Sequence, residues 1–197
     1  MSTELHDCHQ VWWQQEQKRW ARSGILTSAE DDHLRFQVGT TVKFQEGHYP
    51  NPHKEPDLLI RPKGVSFPTG VMKSGWSESS MRRLQDDMKL WLVGGNGAVH
   101  AVLLLKWTKV TGTNSVKGEV ELYTRNNQDT PILQHTETVS PVPPQTNSTQ
   151  QITLTMGMVF GSGILPGSNP NHQLTLEIVG LRGCAAEAMG RMGLVPV

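Results

Sequence analysis

The stretch from Lys54 to Trp107 constrains the fold most, because the patterns of strand, turn, strand, amphipathic helix and strand follow one another in it. The run Glu55-Pro56-Asp57-Leu58-Leu59-Ile60 is entered by a proline and closed by Arg61-Pro62, which predicts a short strand. Lys63 to Gly70, with Gly64 and Pro68 inside it, reads as the turn. A second strand runs from Val71 to Trp76. Ser77-Glu78-Ser79-Ser80 then supplies hydroxyls suited to capping the free N–H groups of a helix. Over Ser77 to Leu92, the residues Leu84, Met88, Trp91 and Leu92 share one helical face, while Arg82, Arg83, Asp86, Asp87 and Lys89 take the rest. Gly94-Gly95 ends the helix. Ala98 to Trp107 is apolar apart from His100 and Lys106, as expected of a central strand covered on both faces.

The flanks add elements around this stretch. Thr3 to Arg22 is polar and punctuated by Val11, Trp12, Trp13 and Trp20, and breaks at Ser23-Gly24, which predicts a helix docked by its tryptophans. His6, Asp7, Cys8 and His9 are consecutive or nearly so and point in different directions on a helix, so they read as a solvated helix start rather than a metal nest. Leu34 to Phe44 alternates as two strands or one strand bent at Gly39, and Glu46 to His53 reads as an exposed loop. Past the Thr111 to Ser115 turn, Val120 and Leu122 face inward on another strand. Asn126 to Thr130 is a turn, and Ile132-Leu133 starts one more short strand. Ser140 to Gln151 holds Pro141, Pro143 and Pro144 among Gln, Thr and Ser, and offers little to bury. Strands follow at Ile152 to Met156 and Leu174 to Ile178, separated by a glycine-rich loop over Gly157 to Gly167, and Leu181 to Met192 forms a short helix. Gly161-Ser162-Gly163 lacks the lysine of a phosphate-binding loop.

A chain of 197 residues with 36% hydrophobic content suits one domain rather than two. Four parts are expected: a helical extension over 1–30, a core over 31–138, a flexible insert over 139–151, and strands with a short helix over 152–197 that complete the same domain. Eighteen basic and eighteen acidic residues balance to a pI near 7.1, without the strongly positive field of a dedicated nucleic-acid binder. A local basic groove remains compatible with that total. Two cysteines, Cys8 and Cys184, give neither a disulfide framework nor a zinc pattern. With no signal-peptide core and no apolar run of about 20 residues, the expectation is an intracellular protein, cytoplasmic or nuclear, without a membrane partner.

The order and spacing of Lys54-Glu55-Pro56-Asp57, Pro68-Thr69-Gly70-Val71-Met72-Lys73-Ser74-Gly75-Trp76-Ser77-Glu78-Ser79, Leu84, Asp87, Trp91-Leu92 and the apolar strand to Lys106 resemble the fungal branch of restriction-endonuclease-like proteins in the PD-(D/E)XK superfamily. Val38 to Val42 and Gly118 to Tyr123 are similar to it too, so the resemblance spans roughly Leu34 to Thr124. It implies an α/β fold with a mixed central sheet of about four or five strands flanked by helices, and Mg²⁺-dependent cleavage of DNA phosphodiesters. The family brings an aspartate from one strand and a second acid from its neighbour to one cation, with a lysine two residues beyond the second acid.

By that resemblance Asp57 stands at the first acid, but Lys73 falls on the second and Gly75 on the lysine. An ammonium there satisfies Asp57 directly and repels a divalent cation, which predicts a nuclease fold without nuclease chemistry. The first expectation is therefore a degenerate binding or structural domain with no cofactor. The alternative is an active hydrolase in which Glu78 replaces the lost acid beside Asp57 as a metal ligand, and Lys106 replaces the lost lysine. Glu55 is a further ligand candidate; the plainer readings are helix-dipole complementation for Glu78, a solvent-reaching strand end for Lys106 and a surface salt bridge for Glu55. Arg61, Lys63, Arg82 and Arg83 are candidates for DNA phosphate contacts, against solvated surface beside Asp86 and Asp87. A third expectation is a homodimer built on the tryptophan-rich terminal elements.

Overall fold

The computed structural model describes residues 3–44, 53–76, 81–144 and 149–197. Its elements are α1 (Glu4–Arg22), α2 (Ser28–His33), β1 (Leu34–Gln37), β2 (Val42–Lys43), β3 (His53–Lys54), β4 (Leu58–Pro62), β5 (Gly70–Trp76), α3 (Met81–Gly94), β6 (Ala101–Lys109), β7 (Ser115–Arg125), β8 (Pro131–Ser140), β9 (Gln151–Thr155), α4 (Met156–Phe160), β10 (Gln173–Glu177), α5 (Ile178–Arg191) and β11 (Val195–Pro196). The predicted helix start Ser77 to Ser80, with Glu78, and most of the predicted loop over 46–53 lie outside the described residues.

The result is a mixed α/β fold. β1 pairs antiparallel with β4 and β4 with β5; α3 then crosses over so that β6 lies parallel to β5, and β7 and β8 continue antiparallel. β11 adds a short parallel pairing to the start of β7, and β2–β3 and β9–β10 form separate two-stranded ladders.

Alternation along the strands divides the core into two layers. In β6, Val102 and Leu104 face the α3 side, while Leu103, Leu105 and Trp107 face the other. That is why this strand is apolar from Ala101 to Leu105, where water reaches neither face, while Thr108 and Lys109 at its end are exposed. The α3 layer packs Leu84, Met88, Trp91 and Leu92 of the helix against Leu59, Val71, Val102 and Leu104 of the sheet. Full burial of each such side chain contributes roughly 2–3 kcal/mol. The opposite layer is built by α1, α5 and the β9–β10 ladder. Trp12, Trp13 and Trp20 are all fully buried there, inside the chain's own core.

Helix α1 starts where Thr3 Oγ1 accepts the His6 N–H at 3.1 Å, with Glu4 and Asp7 in its first turn and Arg19 and Arg22 in its last. Its first turns are not the solvated start expected from their polarity, because Cys8 and His9 are buried. His9 lies on the same stripe as Leu5, Trp12, Trp13 and Trp20, and that stripe faces the sheet and α5. The helix is also pinned at its middle, by Trp12 Nε1 donating to Glu177 O at 2.9 Å, and near its far end, by Trp20 Nε1 donating to Thr175 O at 2.7 Å.

Three further expectations are corrected. Among the described residues the main sheet has seven strands, the extra ones being short or polar edge pieces. The short strand expected from Ile132 extends over ten residues, because Gln134 to Thr136 lie on an exposed edge strand where no apolar alternation is needed. The glycine-rich loop over Gly157 to Gly167 holds α4 and a 3-10 turn, since Thr155 Oγ1 accepts the Met158 N–H at 3.2 Å and Val159 and Phe160 are buried. Of the Pro-rich stretch, Ser140 ends β8 and Gln151 begins β9, with residues 145–148 outside the described residues. Among the described residues no helix is long and apolar enough to cross a membrane.

Candidate functional site

Asp57 sits one residue before β4, where its N–H donates to Met72 O at 3.1 Å and so continues the antiparallel pairing of Leu58 with Met72. This register sets Asp57 beside Lys73. Lys73 Nζ lies 3.2 Å from Asp57 Oδ1 and donates also to Glu55 O at 3.3 Å, while the Ser74 N–H donates to Asp57 Oδ2 at 2.7 Å. Both charged side chains are largely enclosed, with 18% of Asp57 and 15% of Lys73 exposed. Glu55 thus contributes its backbone carbonyl to Lys73.

Helix α1 closes the site from the other side. His6 Nε2 is 3.7 Å from Asp57 Oδ2, and His6 Nδ1 is 2.8 Å from Asp7 Oδ1, so both ring nitrogens face carboxylate oxygens. One turn on, His9 Nδ1 is 2.8 Å from His6 O. A carbonyl only accepts, so Nδ1 carries the proton and Nε2 presents a lone pair. Among the described residues, that buried Nε2 has no hydrogen-bond partner, and neither has Ser74 Oγ. Burial lowers the His9 pKa below its ordinary value of 6.5, against a smaller upward pull from Asp57.

These residues do not fit a Mg²⁺ ion, which takes about six oxygens in near-octahedral geometry. Asp57 Oδ1 is engaged by an ammonium and Oδ2 by a backbone N–H. Among the described residues no group of three or more His, Cys, Asp or Glu is placed to hold a metal ion. A divalent ion about 4 Å from the Lys73 ammonium would be repelled by roughly 8 kcal/mol at an effective dielectric of about 20.

The remaining predicted site residues are spread over the fold. Glu78 lies outside the described residues. Lys106 stands directly beside Gly75 in the parallel β5–β6 register, half-buried, with its pKa lowered by burial. Alternation from Val71 and Leu104 places Lys73, Gly75 and Lys106 on the α3 side of the sheet. Arg61 and Lys63 lie at the other end of β4 from Asp57, about 15 Å along the strand. Arg61 Nη1 donates there to Ser66 O at 2.8 Å. Arg82 and Arg83 are exposed in the first turn of α3, where Asp87 is paired with Lys54 at 2.7 Å and Asp86 with Lys89 at 3.9 Å.

Sequence reasoning gave Ser74 no role, and it read His6 and His9 as part of a solvated helix start rather than as site residues. His9 carried a signal, since it falls on the buried stripe of α1. His6 carried none, because its approach to Asp57 depends on how α1 docks. Comparison of the chain with protein-family models, with curated proteins and with solved structures found no match.

Proposed function

We propose that this chain is a restriction-endonuclease-like domain in which the Lys73 ammonium takes the place of the divalent cation, and that it serves as a binding or structural domain rather than a hydrolase. The observation that carries this reading is the Lys73–Asp57 ion pair at 3.2 Å, on a carboxylate already held by the Ser74 N–H. The nuclease-like core is supported by the order β4, turn, β5, α3, β6, with β4 antiparallel and β6 parallel to β5. Incubation of supercoiled DNA with the chain and Mg²⁺ or Mn²⁺ tests it. The expected result is no cleavage above that given by Asp57→Ala.

One observation favours a second reading, a Mg²⁺-dependent DNA phosphodiester hydrolase with relocated groups. Lys106 lies in register with Gly75, the position where the resemblance places the family lysine. Cleavage by the unmodified chain that disappears in both Asp57→Ala and Lys106→Ala would establish this reading and overturn the first.

A further inference from the structure

At the far end of β4 from Asp57 the chain forms a cleft of about 550 Å³, within the size range of small-ligand pockets. Its walls differ in chemistry. Lys43 and Arg61 line it with positive charge, Phe44 and Phe67 pack edge to face at 5.2 Å between ring centroids, and Gly95 and Asn96, just past the carboxyl end of α3, line it too. The last carbonyls of a helix lack intrahelical donors and so present acceptors. Gly95 has no room for a side chain: a Cβ there would stand 2.8 Å from Trp91 O and 3.0 Å from Phe67 Cε1, so the helix end and the Phe67 ring are in close contact.

An adjoining concavity of about 430 Å³ shares Arg61 and adds Arg35 and Lys63. Arg35 and Arg61 are direct cross-strand partners in β1–β4, an arrangement that like charges disfavour unless an anion lies between or near them. Among the described residues no Asp or Glu lines either concavity. None of Arg35, Lys43, Arg61 and Lys63 is paired with a carboxylate among the described residues, whereas Arg19, Lys54, Lys73, Arg125 and Arg191 all are. In a chain of zero net charge, this is a local positive surface without a counter-charge among the described residues.

We infer that this cleft binds a nucleoside phosphate, either free or as one residue of a single strand. Arg61 and Lys43 hold the phosphate, the guanidinium by paired N–H donors and the ammonium as a point charge. The half-buried Phe67 ring takes the base, and the carbonyls at the end of α3 accept from its amino groups. The inference uses neither Asp57 nor Lys73 and is independent of the reading given above for them.

Calorimetric titration of the full chain without divalent cations tests it, with adenosine monophosphate, ribose 5-phosphate and a short oligodeoxyadenylate as ligands. The expected result is binding of the nucleotide or the oligonucleotide, weakened by salt, with ribose 5-phosphate about tenfold weaker for want of a base to stack. Lys43→Ala, at an exposed side chain, and Arg61→Ala should each weaken binding about fivefold or more. Tight binding of the monophosphate identifies a free nucleotide as the ligand, and binding of the oligonucleotide alone identifies a single strand. No binding of either, equal binding of ribose 5-phosphate, or unchanged affinity in Lys43→Ala overturns the inference. Because no divalent ion is present, such a failure leaves the Asp57 reading to its own test.

Discussion

Lys73 Nζ lies 3.2 Å from Asp57 Oδ1, and the N–H of the next residue, Ser74, holds Oδ2 of the same carboxylate at 2.7 Å. Two consecutive positions of β5 therefore engage both oxygens, one through a side chain and one through the backbone. Side chains alternate across the sheet while backbone donors point along it, which is how adjacent residues converge on one acid.

Asp57→Ala leaves the Lys73 ammonium enclosed, with the Glu55 carbonyl as its remaining hydrogen-bond partner among the described residues. The expected loss is about 2 kcal/mol in urea unfolding, between the values typical of exposed and of buried pairs. Lys73→Ala combined with Asp57→Ala should cost less than the two single changes added together. Strict additivity would mean that the pair is not coupled.

His9 makes stability depend on pH. Its folded-state pKa is below 6.5 because burial disfavours the imidazolium, so as pH falls the unfolded chain binds a proton before the folded chain does. This contribution is intact above about pH 6.5 and is lost as pH falls toward the folded pKa, with a slope of at most about 1.4 kcal/mol per pH unit. Among the described residues, Asp57, His6 and Asp7 are the titratable groups that act on it, and Lys73 is paired with Asp57. Urea midpoints at pH 7.5, 6.5 and 5.5 should fall more steeply for the unmodified chain than for His9→Gln. Parallel curves would contradict this.

Gly118→Ala should cost about 2–3 kcal/mol. Gly118 is the cross-strand partner of Trp107, and a Cβ there would lie 2.2 Å from Trp107 Cζ3, an atom of a fully buried, rigid ring. Thermal unfolding monitored by tryptophan fluorescence measures the shift. A change within error would mean that the ring has room to move.

Thr69 Oγ1 donates to Val159 O at 2.6 Å and lies 3.1 Å from Ile60 O, joining α4 to β4 in a buried setting. Thr69→Val keeps the shape and removes the donor. The expected loss is about 1–2 kcal/mol, and faster amide exchange in α4 than in α3 would localise it. Equal exchange in the two helices would count against this link.

The central stretch was legible because its elements satisfy local and tertiary demands together. β6 is apolar because it is covered on both sides, and α3 shows its stripe because one face meets the sheet. The approach of Lys73 to Asp57 was expected from the resemblance alone, which set the two residues at the paired acid positions; the Leu58–Met72 register is what brings them together. What escaped depends on distant packing. The burial of His9 and the contact of His6 with Asp57 come from docking α1 across the sheet, and the length of β8 is hidden because an exposed edge strand needs no apolar pattern. α4 was masked by its glycines, although Thr155 followed by Met156, Val159 and Phe160 is a cap and an apolar turn.

The most direct test of the proposal that an ammonium fills the cation position is calorimetric titration of the unmodified chain and of Lys73→Glu with Mg²⁺ and Mn²⁺. The account predicts no saturable binding by the unmodified chain, and a single site gained in Lys73→Glu that vanishes when Asp57→Ala is added. Saturable binding by the unmodified chain that is lost in Asp57→Ala would contradict it.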